Sequence, residues 1–487
     1  MAEFRRDIYT RLSAWAEATE HKPIVLCGAR QVGKTHVLKV LGRDKFESFS
    51  YVNLFDGGAK AALTGVDSVH MLLDSMEAFN GVRVRPGKTL LCIDEIQEIP
   101  DLLTLLKALH EEMPDLHVAV AGSYLGMAQH EDLSFPVGSV TSIDMYPMTF
   151  VEFLEAVGDG VIAERIRNQR IETLGGFAER LERRVRQYCF VGGMPEVVET
   201  FVEDGYQHAR AVQKELLSNY DMDFSKHPRT GVDSEKMRLV FSSIPSHLAR
   251  ENHKFIFGHI ARGARAAQYE SAIQQIVDSG LALRVYRVEK PAAPLPSYRD
   301  DSAFKLYLHD VGLLAAALDL TPASVVLGDG GLTEFRGALT EQYVCQQLVA
   351  AGITPMYWSN ANSTGEVDFV FAGNGAIIPL EAKAGTERHK RSLKWLCDKY
   401  GICGYRTSMR NYKEQDWLTN VPLWIVGSYF RPWLASDYEP DGGADLGPLP
   451  NTDDEGCLKP RDMVRPVADL GYGPRPACSG EALRLTA

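Results

Sequence analysis

The sequence predicts a multidomain protein of the α/β class, built around a doubly wound parallel sheet. Three observations lead to this prediction. Short apolar strands alternate with helical patterns over the first 160 residues, the strand at 24–26 leads into a glycine-rich loop, and the strand at 89–93 is followed by two carboxylates. Alternating strands and helices favour a parallel sheet with helices on both faces. Ligands of such sheets bind at the carboxyl ends of the strands.

Length and composition limit the classes of protein to consider. The chain has 487 residues, 45% of them hydrophobic, and a net charge of -12, which indicates a globular protein of about three domains. No apolar run approaches the ~18 residues of a membrane span, and residues 1–20 lack the apolar core of a signal peptide. We therefore expect a cytoplasmic protein without a membrane partner. The negative charge restricts any contact with nucleic acid to a local surface.

The loop after the first strand has the spacing Gly-x-x-x-x-Gly-Lys-Thr. It consists of Gly28, Ala29, Arg30, Gln31, Val32, Gly33, Lys34 and Thr35. The two glycines allow successive backbone N–H groups to surround an anion, and the helix that follows points its positive end at that anion. Lys34 can reach the β- and γ-phosphates, and Thr35 can place a hydroxyl on Mg²⁺. An accidental glycine-rich turn is the alternative, but the full spacing favours a P-loop that binds ATP and Mg²⁺.

The strand at 89–93 is the second anchor of this site, because it ends in Asp94 and Glu95. A buried parallel strand delivers these carboxylates to the edge where the P-loop lies. Asp94 would hold Mg²⁺, directly or through water, and Glu95 would orient and activate the attacking water. A strand that ends in a solvated acidic turn is the alternative, and the P-loop upstream argues against it.

Ser123 follows the next apolar strand, at 118–122. In a parallel sheet with a P-loop this position lies near the γ-phosphate, so Ser123 is a candidate polar sensor. The alternative is that its hydroxyl caps the following turn.

Four segments together resemble a known family. They are residues 28–35, 91–97, 121–123 and 146–153, the last reading Tyr-Pro-Met-Thr-Phe-Val-Glu-Phe. Over about residues 5–430 the chain resembles uncharacterised bacterial and archaeal AAA+-type ATPases that carry a C-terminal domain of unknown function with a restriction-endonuclease-like core. The resemblance implies an AAA+-type fold and use of ATP, but no pathway. Related chains often have Lys or Arg where this one has Ser139, which lacks the charge of an arginine finger.

The predicted domain organisation has five parts. These are an AAA+-type core at 1–160, a helical lid or linker at 161–231, a winged-helix-like region at 232–325, a restriction-endonuclease-like domain at 330–430 and a disordered tail at 431–487. The turn at 192–195, Gly-Gly-Met-Pro, resembles one that family members place in the lid near the nucleotide. A plain helix–helix turn is the alternative.

The winged-helix prediction rests on the order of elements between 234 and 290. We expect helices at about 235–250, 256–261 and 265–279, followed by a strand at 281–288. The third helix would be the one that reads DNA in a helix-turn-helix protein. Its outward face is only weakly basic, so the alternative is that this region packs domains together.

A second cluster of polar residues lies on a predicted hairpin with strands at 366–372 and 376–384. Asn-Gly at 374–375 is a strong hairpin signal. If these two residues form the turn, Gly373 pairs with Ala376, and the same register puts Asp368 opposite Glu381. Two directly opposed carboxylates are destabilising unless something neutralises them. A divalent cation such as Mg²⁺ would do so.

Asp368 with Glu381-Ala382-Lys383 resembles the Asp…Glu-x-Lys pattern of the restriction-endonuclease-like fold. The resemblance implies that the carboxylates bind Mg²⁺ and that Lys383 positions or activates water on a phosphodiester. Glu341, on a helix face with apolar neighbours, matches the helical glutamate that completes such sites. The alternative is a cross-strand salt pair between Glu366 and Lys383 on a solvated face. Downstream, the basic helix that starts near Arg388 is a candidate for phosphate contacts, and a solvated helix face is the alternative.

The sequence thus predicts an ATP-binding, Mg²⁺-dependent ATPase. Its nucleotide state would control a C-terminal nuclease-like domain that acts on or binds DNA or RNA. The alternative is a nucleotide-controlled switch with a catalytically inactive C-terminal domain that binds a protein or nucleic-acid partner. A purely structural ATP-binding protein is a third interpretation. A second copy of the chain is a further candidate partner, because AAA+ relatives commonly form rings, but the lack of a clear cationic finger argues against a hexamer.

Overall fold

The computed structural model describes residues 3–122, 138–226, 233–250, 254–327, 333–360, 365–373, 375–384 and 391–431. The chain divides into two compact units. The first comprises 1–285 with 304–350, and the second comprises 286–303 with 351–487. The helix at 333–350 therefore lies in the first unit, whereas we expected it to share a domain with the hairpin strands. The predicted disordered tail lies outside the described residues, apart from Arg431.

The first unit is built on a five-stranded parallel sheet, which confirms the predicted sheet type. Its strands are β1 (Ile24–Cys27), β2 (Ser48–Asn53), β3 (Thr89–Asp94), β4 (His117–Gly122) and β5 (Thr141–Asp144). Their order is β2-β3-β4-β1-β5, so the strand before the glycine loop lies between two neighbours. Val25, Leu91, Ile93 and Val120 pack in a fully apolar cluster. Burial on both faces explains why these strands are continuously apolar in the sequence.

Helices surround this sheet and continue beyond it. They are α1 (Ile8–Glu17), α2 (Lys34–Lys45), α3 (Gly57–Leu63), α4 (Val69–Asn80), α5 (Leu102–Glu112), α6 (Phe150–Ala156), α7 (Gly160–Arg167), α8 (Ala178–Val191), α9 (Pro195–Asp204) and α10 (Tyr206–Lys226). α6 begins with a capping box, in which Thr149 and Glu152 each accept from the other's backbone N–H. Such a box satisfies two backbone donors that a helix start leaves unpaired.

The Gly-Gly-Met-Pro turn joins α8 to α9 in a crowded place. Gly193 N donates to Asp310 Oδ2 at 2.6 Å, and Met148 N donates to Gly193 O at 2.6 Å. Gly192 has φ 79° and ψ -164°, a region that only glycine occupies readily. A Cβ at Gly192 would lie 2.0 Å from Asp310 Oδ1. The sequence at this turn is therefore dictated by close backbone packing as well as by backbone conformation.

The region predicted to be a winged helix contains the expected order of elements. These are α11 (Ser234–Leu248), α12 (Ala266–Asp278), β6 (Ala282–Val288) and β7 (Arg299–Leu308), followed by α13 (Val311–Ala317) and α14 (Thr333–Ala350). The middle helix expected at 256–261 is only a 3-10 turn, Phe257–His259. Gly258 lies inside it and Gly263, with φ 82°, follows it closely, so too few helix-forming residues remain for a longer helix.

The second unit contains a mixed sheet. Its strands are β8 (Met356–Ser359), β9 (Glu366–Gly373), β10 (Ala376–Ala382), β11 (Gly404–Ser408), β12 (Lys413–Glu414) and β13 (Leu418–Pro422). Their order is β12-β13-β11-β10-β9-β8, followed by the parts of β6 and β7 that belong to this unit. Two helices, α15 (Arg391–Tyr400) and α16 (Val426–Phe430), complete it.

The hairpin register predicted from the Asn-Gly turn is confirmed. β9 and β10 pair antiparallel from Gly373–Ala376 to Phe369–Leu380. The turn residue Asn374 itself lies outside the described residues. The register holds because a one-residue slip would move every side chain to the opposite face of a sheet that is buried against α15.

No helix in the described part of the chain is long and apolar enough to span a bilayer.

The turn between α8 and α9 generates a stability prediction. Gly192→Ala should destabilise the protein by about 2–3 kcal/mol more than Gly205→Ala, because only at Gly192 does the new methyl group meet Asp310. Gly205 is a matched control: it ends α9 with φ 82° and ψ -168°, and a methyl group there would have no atom within 4 Å. Urea unfolding followed by circular dichroism measures both, and equal losses would contradict the packing argument.

Candidate functional site

The backbone of the glycine loop between β1 and α2 turns sharply. Gly28, Gln31 and Gly33 have φ values of 149°, 65° and 98°. A Cβ at Gly28 would lie 2.2 Å from Met145 O, so no larger residue fits there. Left-handed residues between right-handed ones turn successive N–H groups toward one side and make an anion-binding concavity. The loop therefore has the backbone form that the sequence predicted for Gly28 to Thr35.

Lys34 lies inside this loop. Its ammonium donates to Gly28 O at 2.8 Å and to Ala29 O at 2.7 Å. Burial lowers the Lys34 pKa to about 8, although the nearby Glu95 and Asp94 carboxylates oppose that shift. A cation held among carbonyls and deprived of water is poised to exchange those carbonyls for a phosphate oxygen.

Asp94 joins β3 to the glycine loop. Its Oδ2 accepts from Thr35 Oγ1 at 2.5 Å and from Tyr51 Oη at 3.0 Å. The side chain of Asp94 is buried. A hydroxyl and a carboxylate in contact are oxygen ligands of the kind that Mg²⁺ takes, one or two at a time, in nucleotide sites. The pair Thr35 and Asp94 therefore fits the predicted metal role.

Glu95 stands at the end of β3 in a left-handed conformation, with φ 57°. Its Oε2 accepts from Gln97 Nε2 at 2.5 Å. Burial raises the pKa of the Glu95 carboxyl, with Asp94 adding to the shift and Gln97 opposing it. A raised pKa suits a group that accepts a proton near neutral pH. The structure thus brings Lys34, Thr35, Asp94 and Glu95 together at the carboxyl edge of the sheet.

Arg6 supports the loop, although no motif in the sequence pointed to it. Its guanidinium donates to Val32 O at 2.7 Å, Tyr146 O at 2.7 Å and Glu152 Oε1 at 3.1 Å. Arg6 and Glu152 are both buried. Glu152 belongs to the 146–153 segment that carried part of the family resemblance. The resemblance therefore included the acidic residue of the Arg6–Glu152 ion pair. Its partner lies 146 positions earlier in the chain.

Elements from the lid and winged-helix-like regions also touch the loop. Arg30 Nη1 lies 2.5 Å from Asp223 Oδ2, and Tyr220 Oη donates to Arg30 O at 3.2 Å, both partners being on α10. A Cβ at Gly280 would lie 3.0 Å from Ala29 N. A Cβ at Gly33 would lie 3.7 Å from Pro195 Cγ, so the Gly-Gly-Met-Pro turn does lie beside the loop.

The sequence also raised two positions in connection with the γ-phosphate. Ser123, the candidate sensor, lies outside the described residues. Ser139, which stands where related chains often have a cation, is described and precedes β5.

The hairpin of the second unit brings Asp368, Glu381 and Lys383 together. Asp368 Oδ2 accepts from Ala382 N at 2.8 Å, and Lys383 Nζ lies 2.8 Å from Glu381 Oε1. Glu381 is buried, and its Oε2 has no hydrogen-bond partner among the described residues. A buried carboxylate oxygen without a donor costs free energy that a cation would recover. The pair of carboxylates therefore fits Mg²⁺.

The described residues contain no group of three or more His, Cys, Asp and Glu side chains that could hold a metal ion. A cation at Asp368 and Glu381 would therefore complete its shell largely with water, as Mg²⁺ usually does. A cation at Thr35 and Asp94 would likewise have few protein ligands, and phosphate oxygens would supply further ones.

Glu341 has partners of its own. Its Oε1 accepts from Lys305 Nζ at 2.6 Å and from Tyr307 Oη at 2.5 Å, and all three side chains are buried. These residues belong to the first unit, whereas Asp368, Glu381 and Lys383 belong to the second. Glu341 thus lies in a buried ion pair, which explains why a carboxylate occurs on an otherwise apolar helix face.

Three segments of the chain match models of protein families. Residues 20–154 match the family model described as an AAA domain. Residues 182–324 and 336–426 match two models described as domains of unknown function, DUF8612 and DUF4143. The AAA match and the parallel sheet support a P-loop fold and a nucleotide-binding ATPase of the AAA+ type. No curated protein matches the chain.

Solved structures resemble the chain only distantly. Orc1 of Aeropyrum pernix in complex with DNA is 15% identical, with 65% of this chain and 94% of that chain covered, at a TM-score of 0.28. Cdc6p of Pyrobaculum aerophilum is 14% identical, with 66% and 95% covered, at 0.24. The Holliday junction branch migration motor RuvB of Thermotoga maritima is 17% identical, with 58% and 90% covered, at 0.25. At these TM-scores the likenesses carry no argument about this chain.

The anchor between Arg6 and the loop generates a second stability prediction. Arg6→Ala should cost about 3 kcal/mol of unfolding free energy, because it leaves the buried Glu152 carboxylate without its cation. The neighbouring Arg5→Ala is the control, since Arg5 is 65% exposed and its Nη1 lies 3.6 Å from Glu155 Oε1. This substitution should lower the free energy of unfolding by less than about 1 kcal/mol. Thermal and urea unfolding test both, and similar effects of the two substitutions would contradict the anchoring role.

Proposed function

We propose that this chain binds and hydrolyses ATP with Mg²⁺ at the loop 28–35, and that its nucleotide state controls a C-terminal nuclease-like domain that acts on or binds nucleic acid. One observation carries the first part: Lys34, Thr35, Asp94 and Glu95 converge at the carboxyl edge of a parallel sheet. Positioning and electrostatic stabilisation are what phosphoryl transfer mainly requires of a protein.

Each residue of this site has a proposed task. The backbone of the loop and the Lys34 ammonium hold the phosphates, while the hydroxyl of Thr35 and the carboxylate of Asp94 hold Mg²⁺. The metal, when bound, neutralises charge that develops on the phosphates. Glu95 accepts a proton from the attacking water, a task that its raised pKa favours. Ser123 remains a proposed sensor of the γ-phosphate.

Nucleotide binding and hydrolysis can be separated by two substitutions. Lys34→Ala should weaken ATP binding by about 100-fold or more, because a buried charge-assisted contact is lost. Glu95→Gln should retain binding and lower the hydrolysis rate by about 10²- to 10⁴-fold. Isothermal titration calorimetry measures the binding, and phosphate release measures the rate.

Lys45→Ala is the control for this pair, because Lys45 ends the same helix and pairs with Glu17 at the surface. It should leave both quantities unchanged. Wild-type protein that fails to bind ATP in the calorimeter would refute the proposed ATPase.

The nuclease-like part of the proposal rests on the hairpin cluster. Asp368 and Glu381 would hold Mg²⁺, and Lys383, which contacts Glu381, would position or activate water on a phosphodiester. The observation that favours a cation there is the buried Oε2 of Glu381, which has no hydrogen-bond partner in the described part of the chain. Glu341 is retained in this proposal only as a candidate, given its ion pair with Lys305.

Cleavage should depend on Lys383. We expect wild-type protein with Mg²⁺ or Mn²⁺ to cut at least one member of a panel of labelled single- and double-stranded DNA and RNA, and Lys383→Ala to lower the rate by about 10²-fold or more. Lys413→Ala on the short exposed strand β12 is the control and should cut normally. Parallel reactions with and without ATP report whether the nucleotide controls the hairpin site.

The second candidate function is a nucleotide-controlled switch with an inactive C-terminal domain. Two observations favour it: Lys383 already neutralises Glu381 at 2.8 Å, and the net charge is -12. If no substrate in the panel is cut, the C-terminal domain is better assigned to binding a protein or nucleic-acid partner.

A further inference from the structure

An indole ring is exposed on the outer face of α15. Leu393, Leu396 and Cys397 on this helix are buried in the core of the second unit. Trp395, on the opposite side, is 48% exposed. Its ring stacks on the buried Trp358 with centroids 5.5 Å apart and an interplanar angle of 26°. The exposed indole is thus held in one orientation by a rigid partner.

One lysine of α15 lies over this ring, and another lies over the ring of Trp417. Lys399 Nζ lies 4.7 Å from the ring of Trp395 and 5.3 Å from that of Tyr400, and Lys394 Nζ lies 5.1 Å from the ring of Trp417. The acidic residue of the helix, Asp398, is bound by Lys394 at 3.0 Å. We call Trp395, Lys394 and Lys399 the α15 platform. It is a local concentration of aromatic surface and positive charge on a chain whose net charge is negative.

Trp358 connects the α15 platform to the hairpin strand that carries Asp368. Trp358, on which Trp395 stacks, is the cross-strand partner of Val367, the residue before Asp368. A Cβ at Gly365 would lie 3.6 Å from Ser392 Oγ in the first turn of α15 and 3.7 Å from Trp358 Cζ3. The helix therefore begins beside the start of β9, the strand that carries Asp368.

Glu381 and α15 lie on the same face of the sheet. A Cβ at Gly404 would meet Cys397 and Leu393 of α15, so Gly404 faces that helix. Arg406, two residues later in β11, faces the same way because side chains alternate along a strand. Glu381 is the cross-strand partner of Arg406 and therefore shares this face. A ligand resting on the α15 platform would lie on the side of the sheet that presents Glu381.

We infer that the α15 platform binds single-stranded nucleic acid by stacking an unpaired base on Trp395. An aromatic ring stacks on any base, and the Lys399 ammonium, which lies over the ring of Trp395, would move aside for the base and contact the phosphate backbone. A duplex offers no free base face to such a ring. This inference rests on the proposed function in one respect, that the second unit meets nucleic acid, and it names the strand form that this unit takes.

Binding by the full-length protein tests the inference. Labelled DNA and RNA strands of about 16 nucleotides, the upper range for one binding module, are compared with a duplex of the same sequence by fluorescence anisotropy. Wild type should prefer the single strands. Trp395→Ala should weaken their binding by about 5- to 150-fold, and Trp395→Phe should restore much of the loss. Single-stranded binding should also quench tryptophan fluorescence in the wild type.

Phe79→Ala is the matched control, because Phe79 is a similarly exposed aromatic residue, at 44%, on α4 of the first unit. It should bind as the wild type does. A preference for the duplex, equal binding by wild type and Trp395→Ala, or no binding of either strand would each overturn the inference.

The outcomes separate this inference from the proposed nuclease. Single-stranded binding that depends on Trp395 without any cleavage supports the platform and refutes the nuclease. Cleavage that is lost in Lys383→Ala but unchanged in Trp395→Ala supports the nuclease and refutes the platform.

Discussion

The burial of the Lys34 ammonium is the constraint on which the first unit depends. A cation removed from water is costly unless oxygen atoms surround it, and the carbonyls of Gly28 and Ala29 meet that need. They can do so only because the loop turns back on itself through left-handed residues. The two carboxylates at the end of β3 add favourable charge nearby. A site that stabilises one cation in this way is arranged to exchange carbonyl oxygens for those of an anionic ligand.

The loop does not hold this conformation alone. Arg6 ties the carbonyl of Val32 to the segment before α6, and Tyr220 and Asp223 hold Arg30 from α10. Gly280 approaches the amide of Ala29 so closely that a side chain there would strain the contact. These supports come from regions predicted to be separate domains, yet all belong to one compact unit. Contacts from several distant parts of the chain therefore hold the loop in this conformation.

The second unit places its charged groups by a different principle. At the end of the hairpin, Asp368 accepts from the backbone of Ala382, and Lys383 lies 2.8 Å from Glu381. α15 then covers the sheet with its apolar face and leaves an indole on the outside. Burial of Glu381 Oε2 without a described donor contrasts with Glu341, whose carboxylate is matched by Lys305 and Tyr307. The Glu341 carboxylate is thus paired within the first unit, whereas Glu381 Oε2 has no hydrogen-bond partner among the described residues.

Local chemistry in the sequence determined the parallel sheet, the form of the glycine loop, the carboxylates at the end of β3 and the hairpin register. Each depends on residues close together in the chain: glycine spacing, an apolar strand before Asp94, and the Asn-Gly turn. Only the tertiary structure decided which distant residues complete these features. Arg6 meets Glu152, Gly192 meets Asp310 and Glu341 meets Lys305 because separate elements pack together. Such pairings leave no periodic trace in a single sequence, since they follow from packing and desolvation rather than from local propensity.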